Sequence, residues 1–189
     1  MRVLIAEDEA LIRMDLREML SEQGHEIVGE ARDGGEAIEL ARSLRPDVVF
    51  MDISMPRVNG IEAAAILGEE HIAPVVMVTA FSQASYVEQA AAAGAMAYIV
   101  KPFSAADVLP AMAVAVSRYT EAASLTAEIA DLSERLETRK VVDRAKGILM
   151  ARGMDEPEAF KRLQRLAMDK RKTIREIAEA VVLASEAEA

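Results

Sequence analysis

The stretch Asp47-Val48-Val49-Phe50-Met51 contains a short apolar run, which is followed directly by a carboxylate, Asp52. A run of about four to eight apolar residues between turn signals predicts a strand that is buried on both faces. Similar runs recur through the first 120 residues, at Val3 to Ala6, Ile27 to Gly29, Val75 to Val78 and Ala97 to Val100. Together these five runs predict a parallel sheet, because parallel sheets are covered on both faces.

Helical patterns separate the predicted strands. Apolar residues recur at helical spacing within them, and turn residues punctuate the chain at Gly24, Pro46, Gly60 and Gly94. Residues 1–120 are therefore predicted to form a (βα)5 domain of the α/β class, doubly wound in three layers. In such a sheet, ligands bind beyond the carboxyl ends of the strands.

Polar side chains stand at four of the five predicted strand ends, namely Glu7, Asp8, Asp52, Thr79 and Lys101. Carboxylates placed together repel one another unless a cation joins them, and an oxygen-rich set suits Mg²⁺. An aspartate in such a site can attack phosphorus, while Lys101 and Thr79 can bind the oxygens of the phosphoryl group. Taken singly, acids after strands are often helix N-caps, which is how we interpret Glu9.

Four segments together resemble the receiver domain of two-component response regulators: Glu7-Asp8, Met51-Asp52-Ile53-Ser54-Met55-Pro56 with Gly60, Val78-Thr79-Ala80, and Tyr98-Ile99-Val100-Lys101-Pro102-Phe103. The resemblance implies that Asp52 accepts a phosphoryl group from a sensor histidine kinase. Mg²⁺ would be held by Glu7, Asp8, Asp52 and the backbone carbonyl of Ser54.

The same resemblance implies a switch, in which Thr79 moves towards the phosphate and Tyr98 rotates inward. The face around the fourth helix, fifth strand and fifth helix would then change. It also implies a cis peptide bond between Lys101 and Pro102. Many receivers have two aspartates where this chain has Glu7-Asp8, so the longer Glu7 side chain is expected to reach the metal through water.

Composition excludes several other functions. The chain has no cysteine, and its two histidines, His25 and His71, are far apart, so disulfides, thiolate nucleophiles, zinc centres and Ser-His-Asp triads are not predicted. Gly34-Gly35 and Gly60 match no nucleotide-binding pattern. The sequence contains neither a long apolar span nor a signal-peptide pattern, and we expect a cytoplasmic protein without a membrane partner. The only chemistry supported is phosphoryl uptake and hydrolysis on Asp52, so no independent enzyme is predicted.

Charge divides the chain into two parts. The formal net charge is −10, yet residues 138–177 carry twelve basic and six acidic residues. This segment is therefore a candidate for binding an anionic partner such as nucleic acid. The less specific interpretation is a solvated helix face.

A long helix is predicted to connect the two parts, from about Ala105 to Met150, with Ser104 as its N-cap and a local kink or irregular first turn at Pro110. Within the connector, residues 121–137, a heptad pattern places apolar residues at Leu125, Ile129, Leu132 and Leu136. Two interpretations stay open: a short coiled coil that forms a homodimer, favoured by phosphorylation, or packing against the C-terminal helices.

Two further helices are predicted beyond Gly153, one starting at Asp155-Glu156-Pro157 and one at Thr173. With the end of the connector they should form a small all-α bundle of three helices. Phe160, the only aromatic residue of this part, is predicted to lie on the apolar stripe of its helix, so stacking on nucleic-acid bases is not expected.

A second resemblance covers residues 125–186. Arg144-Ala145-Lys146-Gly147-Ile148-Leu149-Met150, then Gly153, Glu158-Ala159-Phe160 and Ile177-Ala178-Glu179 resemble the ANTAR domain, an RNA-binding antitermination module. A receiver followed by ANTAR is similar to actinobacterial regulators of this type. The resemblance implies binding to paired stem-loops in nascent messenger RNA. The expected RNA contacts are Arg144, Ala145, Lys146, Gly147, Lys161, Arg165, Arg171 and Lys172, with Ala145 and Gly147 small enough for close approach.

Two alternative outputs remain. The C-terminal helices could bind duplex DNA as a transcription factor, or dock a protein partner as an adaptor.

Overall fold

The computed structural model describes residues 1–80 and 91–187. The chain divides into two compact units, Met1–Ala123 and Ser124–Ala189. Among the described residues, no helix combines the length and the apolar character that a membrane span requires.

The first unit is built on one parallel sheet. Its strands are β1 (Arg2–Ala6), β2 (Glu26–Ala31), β3 (Val48–Asp52), β4 (Val75–Thr79) and β5 (Ala97–Val100), in the order β2-β1-β3-β4-β5. The predicted parallel sheet is confirmed. Asp52 and Thr79 are the last residues of their strands rather than the first residues beyond them, because Asp52 pairs with Val78 and Thr79 with Val100.

Helices cover both faces of this sheet, as predicted. The described part of the unit contains α1 (Ala10–Glu22), α2 (Gly34–Leu44), α3 (Gly60–Glu69) and the start of α4 (Ala105–Ala151). Alternate residues of β1 point to opposite faces. Val3 packs with α1 and α4, and Leu4 packs with α2 and α3. The helix expected between β4 and β5 falls mainly on residues 81–90, outside the described residues.

Short polar contacts fix the helix starts. Glu36 donates its backbone N–H to Asp33 Oδ1 at the start of α2 (3.0 Å), and Glu62 does the same to Asn59 Oδ1 at α3 (2.9 Å). Glu9 occupies the N-cap position of α1, but its side chain accepts no capping hydrogen bond.

Helix α4 begins after Ser104, whose Oγ donates to the Asp107 carboxylate at 2.8 Å. The helix continues through Pro110 to Ala151, so the proline does not interrupt it. Gly153 follows with a left-handed φ of 97°. Glycine adopts this conformation without steric cost, which suits it to the turn after a helix.

The second unit contains the end of α4, α5 (Glu156–Lys170) and α6 (Ile174–Ala187). Asp155 and Glu158 form a capping box at the start of α5. The three helices bury one apolar cluster, which confirms the predicted bundle; its fully buried members are Ala145, Ala159, Leu163 and Ala178.

The structure excludes one of the two open interpretations of the connector and contradicts one expectation about this unit. The connector residues Leu125, Ile129, Leu132 and Leu136 are 52–64% exposed, so they do not pack against α5 or α6. Phe160 is 39% exposed and lies beside the core rather than in it. Ala159 and Leu163 define the buried face of α5, and the next residue along a helix is rotated about 100° away from its neighbour.

Candidate functional site

The predicted site residues of the first unit converge at one edge of the sheet. Glu7 follows β1, Asp52 ends β3, Thr79 ends β4 and Lys101 follows β5. Because the strands are parallel, these positions share the carboxyl edge. Glu7, Asp52 and Thr79 are almost completely buried, which is unusual for polar side chains and demands partners.

Three carboxylates form the acidic part of the site. Glu7, Asp8 and Asp52 each offer an oxygen, and these oxygens lie within 4.8 Å of one another. Asp8 is exposed whereas the other two are buried. A compact group of carboxylate oxygens that is open to solvent on one side fits a hard cation such as Mg²⁺, which keeps several water ligands.

Lys101 joins two of these acids. Its Nζ lies 2.8 Å from Glu7 Oε2 and 3.0 Å from Asp52 Oδ1. Burial favours the neutral amine, but the hydrogen bonds to Glu7 and Asp52 outweigh burial and raise the pKa of Lys101. Lys101 is therefore a fixed positive charge beside the Asp52 carboxylate.

Glu7 carries an electrostatic cost in this arrangement. Burial raises the pKa of Glu7 above its usual value, and the negative charge of Asp52 raises it further against the opposing hydrogen bond from Lys101. A cation at the three carboxylates would remove that cost.

The main chain holds Lys101 and Asp52 in place. Lys101 donates its backbone N–H to the Thr79 carbonyl at 2.8 Å, and the Lys101-Pro102 peptide bond is cis, as expected. Ser54 donates its N–H to Asp52 Oδ2 at 3.0 Å. The predicted role of the Ser54 carbonyl as a metal ligand remains a prediction.

Gly60 closes the loop that follows Asp52. Its N–H donates to the Ile53 carbonyl at 3.0 Å. A Cβ atom at Gly60 would lie 1.9 Å from the Asp52 carbonyl oxygen, far inside van der Waals contact. Only glycine therefore allows α3 to start directly against the backbone of Asp52.

Tyr98 lies on β5 with 48% of its surface exposed. Thr79 is buried on the neighbouring strand. Their roles in a switch remain predictions.

The basic residues of the second unit are mostly exposed, but several are paired. Arg144 contacts Glu186 at 2.8 Å, and Lys146 contacts Asp143 at 2.8 Å and Glu156 at 2.9 Å. The Arg144–Glu186 pair is exposed and contributes about 0–1 kcal/mol, so it leaves Arg144 available to another anion. The Lys146 side chain is only 17% exposed and is held between its two acids.

Two small residues of the predicted RNA surface differ sharply. No atom of the described residues lies within 4 Å of a Cβ built at Gly147, so this backbone is open to a ligand. Ala145 is completely buried in the apolar cluster of the bundle, so the expectation that it contacts RNA is wrong. It points from α4 towards α5 and α6, and its small size serves helix packing.

Three cations lie together on α5. Lys161, Arg162 and Arg165 line a shallow depression of about 480 Å³ with Met154 and Glu158. Arg171 and Lys172 follow at the end of the same helix. The structure thus presents a positively charged surface along one helix.

Comparison with known proteins decides the family. The response regulator receiver domain family matches residues 3–113, and the ANTAR domain family matches residues 130–182. The chain belongs to the two-component response regulators.

Relatives of this response regulator share both domains or the receiver alone. The chain is 61% identical over 182 residues to the transcriptional regulatory protein PdtaR of Mycobacterium tuberculosis, covering 96% of this chain and 89% of PdtaR. The response regulator domain of Thermotoga maritima CheB is 35% identical with a TM-score of 0.58, covering 62% of this chain and 96% of that one. A CheX-CheY-BeF3-Mg²⁺ complex from Borrelia burgdorferi shows 31% identity and a TM-score of 0.55. The match covers 58% of this chain and 84% of the chain in that complex.

Sequence reasoning missed several residues that support the site of this response regulator. Arg13 donates from Nη1 to the Glu7 carbonyl at 2.6 Å and pairs with Glu30 at 3.0 Å. Arg57, in the loop after Asp52, pairs with the buried Asp33. The Arg13–Glu30 and Arg57–Asp33 pairs join different elements of the chain, and the local signal was the N-cap pattern at Asp33.

Proposed function

We propose that Asp52 accepts a phosphoryl group from a sensor histidine kinase and that this event controls RNA binding by the ANTAR domain. The observation that carries the proposal is the buried Asp52 carboxylate, 3.0 Å from Lys101 Nζ and grouped with Glu7 and Asp8. The match to the receiver and ANTAR families supports both halves of it.

Each residue of the site has a proposed task. An Asp52 oxygen forms a bond to phosphorus as the bond from phosphorus to the kinase imidazole nitrogen breaks, and the imidazole keeps that electron pair. Lys101 and Thr79 would bind the oxygens of the transferred group, where positive charge and hydroxyl donors stabilise developing negative charge.

Glu7, Asp8, Asp52 and the Ser54 carbonyl would hold Mg²⁺. When bound, this ion offsets the negative charge of the transferring group. The similar CheX-CheY complex contains BeF3 and Mg²⁺, which supports this assignment. Movement of Thr79 and Tyr98 would then pass the change to the surface around β5.

The ANTAR output is proposed to bind stem-loops in nascent messenger RNA and to act in transcription antitermination. The exposed cations Arg144, Lys161, Arg165, Arg171 and Lys172, with Lys146 and the open backbone at Gly147, would contact the phosphates. The name of the relative PdtaR, a transcriptional regulatory protein, is consistent with this output.

The proposal is tested by phosphorylation and RNA binding in one series. We expect the wild-type protein to take up one phosphoryl group from a small phosphodonor with Mg²⁺, and Asp52→Asn to take up none. Asp15→Asn, an exposed aspartate on α1, is the matched control. Labelling of Asp52→Asn at wild-type stoichiometry would contradict the assignment.

RNA binding is measured with the same proteins, with and without beryllofluoride and Mg²⁺. We expect the activated wild-type protein to bind a tandem stem-loop RNA more tightly than a duplex DNA of matched length. Preference for the DNA would instead indicate a transcription factor, and salt-insensitive failure to bind either would indicate a protein adaptor.

The connector supports a further part of the proposal, a homodimer favoured by phosphorylation. Leu125, Ile129, Leu132 and Leu136 form an exposed apolar stripe with coiled-coil spacing on α4. Leu132→Glu should weaken self-association of the activated protein by at least about tenfold in sedimentation experiments, because a leucine removed from water stabilises by about 1.5–3 kcal/mol. Leu183→Glu, exposed on α6 outside the stripe, should self-associate as wild type. An equal loss of self-association in both variants would show that the leucine stripe is not the dimer interface.

A further inference from the structure

A groove on the second unit is not explained by the packing of its helices. It has a volume of about 410 Å³, and its walls come from α4, α5 and α6. Val142, Phe160 and Ile174 supply its apolar surface, and Arg135, Thr138 and Arg139 supply polar groups.

Phe160 is the main apolar feature of this groove. Helix α5 is anchored in the core by Ala159 and Leu163, both fully buried, whereas Phe160 is 39% exposed. Ala159 and Leu163 therefore supply the core contacts of this helix, and the partly exposed Phe160 ring lines the groove. Aromatic rings with an open face are the usual stacking partners of unpaired nucleobases.

The two arginines of the groove are available to a ligand. Arg135 pairs with Asp131 at 2.9 Å and Arg139 with Asp143 at 3.8 Å, but both arginine side chains are more than 70% exposed. Solvent-exposed pairs contribute about 0–1 kcal/mol, so a ligand can replace them at small cost. Guanidinium groups both bind phosphate and stack on planar rings.

The acids of the groove restrict what can enter it. Asp131 and Glu134 line the groove together with the arginines. A phosphate placed against these carboxylates would be repelled, whereas the N–H groups on a base edge can donate to them. An apolar floor with carboxylate acceptors and flanking cations therefore suits a flat, neutral, hydrogen-bonding ring that is attached to an anionic backbone.

We infer that this groove holds one unpaired base of an RNA loop, stacked on Phe160, with Arg135 and Arg139 contacting the adjacent phosphates. The inference rests on the proposed RNA-binding function and adds to it a base-reading site. It also reverses the expectation that this protein lacks aromatic stacking.

The test uses the activated full chain, Phe160→Leu, and a tandem stem-loop RNA with a set of derivatives in which each loop position in turn lacks its base. Phe160→Leu should weaken binding to the intact RNA by roughly 5- to 150-fold, the range measured for the loss of one stacked base. At one loop position, the derivative without a base should bind wild type and Phe160→Leu equally. The salt dependence should not change, because the ring carries no charge.

Further variants separate stacking from other effects. Phe160→Tyr should keep wild-type affinity, since it retains the ring. Met168→Leu, a more exposed apolar residue of the same helix, is the matched control and should bind as wild type. Arg139→Gln should lower both the affinity and the slope of affinity against salt.

The possible outcomes separate failure of the base site from failure of the proposed RNA-binding function. If activated wild-type protein fails to bind the RNA, both are overturned. If wild type binds and Phe160→Leu binds every RNA equally well, only the groove assignment is overturned. A loss in Phe160→Leu that is the same for intact RNA and for all derivatives would show a structural effect and would also overturn the base site.

Discussion

The receiver unit and the ANTAR unit handle charge in opposite ways. Among the described residues, the buried polar side chains are Glu7, Asp33, Asp52 and Thr79, all in the receiver unit. The described buried residues of the ANTAR unit are apolar, and its charges lie on the surface. Each buried polar group requires a specific partner, so the individual residues of a buried site can be identified. Exposed cations attract phosphates collectively, so they identify a surface but not the individual contacts. We therefore expect the largest single effect at the closely packed backbone around Asp52 in the first unit, and intermediate effects on the cationic surface of the second.

The largest effect is expected from Gly60→Ala in the receiver unit. The new Cβ would lie 1.9 Å from the Asp52 carbonyl, so the loop after Asp52 must move. We expect a loss of about 3 kcal/mol or more in the free energy of unfolding, together with loss of phosphoryl uptake. Denaturant unfolding and phosphodonor labelling measure the two effects.

Gly68→Ala is the control in the same helix. Within the described part of the chain, its Cβ would meet the Ala93 carbonyl, at an ordinary 3.7 Å. Alanine is favoured over glycine within a helix by about 0.5–1 kcal/mol, so this variant should be equally or more stable and fully active. If Gly60→Ala behaved like Gly68→Ala, the close packing at Asp52 would be disproved.

Gly147→Ala makes the same chemical change in the ANTAR unit. It should raise stability, whereas Gly60→Ala should lower it. Among residues 1–80 and 91–187, nothing lies within 4 Å of the new Cβ, so α4 should gain about 0.5–1 kcal/mol. RNA affinity should nevertheless fall by about tenfold, because a methyl group would separate the open backbone from the ligand. Unchanged RNA affinity in a stabilised Gly147→Ala protein would remove this position from the RNA surface.

The smallest effect concerns the buried acid. Since burial raises the pKa of Glu7, its carboxylate should reduce stability at neutral pH. The reduction should shrink as the pH falls below that raised pKa and disappear below the ordinary pKa of glutamate. Without Mg²⁺ at pH 7, Glu7→Gln should raise the Tm by a few degrees, and the difference should close towards acid pH. Added Mg²⁺ should stabilise wild type more than the variant. If Glu7→Gln were less stable at pH 7 without metal, the ion pair with Lys101 would outweigh the cost of burial.

The sheet and the acidic site were predictable because their signals are local. A buried strand must be apolar throughout, and parallel strands bring their carboxyl ends to one edge, so the positions of Asp52, Thr79 and Lys101 could be predicted from the order of the runs. The partners Arg13, Arg57 and Asp33 could not, because their contacts depend on where loops from different parts of the chain meet.

In the ANTAR unit, the sequence alone predicted the three helices, their ends and their excess of positive charge, since caps, glycines and periodic apolar residues act over a few positions. Only the tertiary structure decided which small or aromatic residue faces the core. Ala145 is buried and Phe160 is partly exposed, the reverse of what was expected. The rotation of each helix about its axis is set by packing against the other two, and composition and periodicity leave residues near the edge of an apolar stripe unassigned.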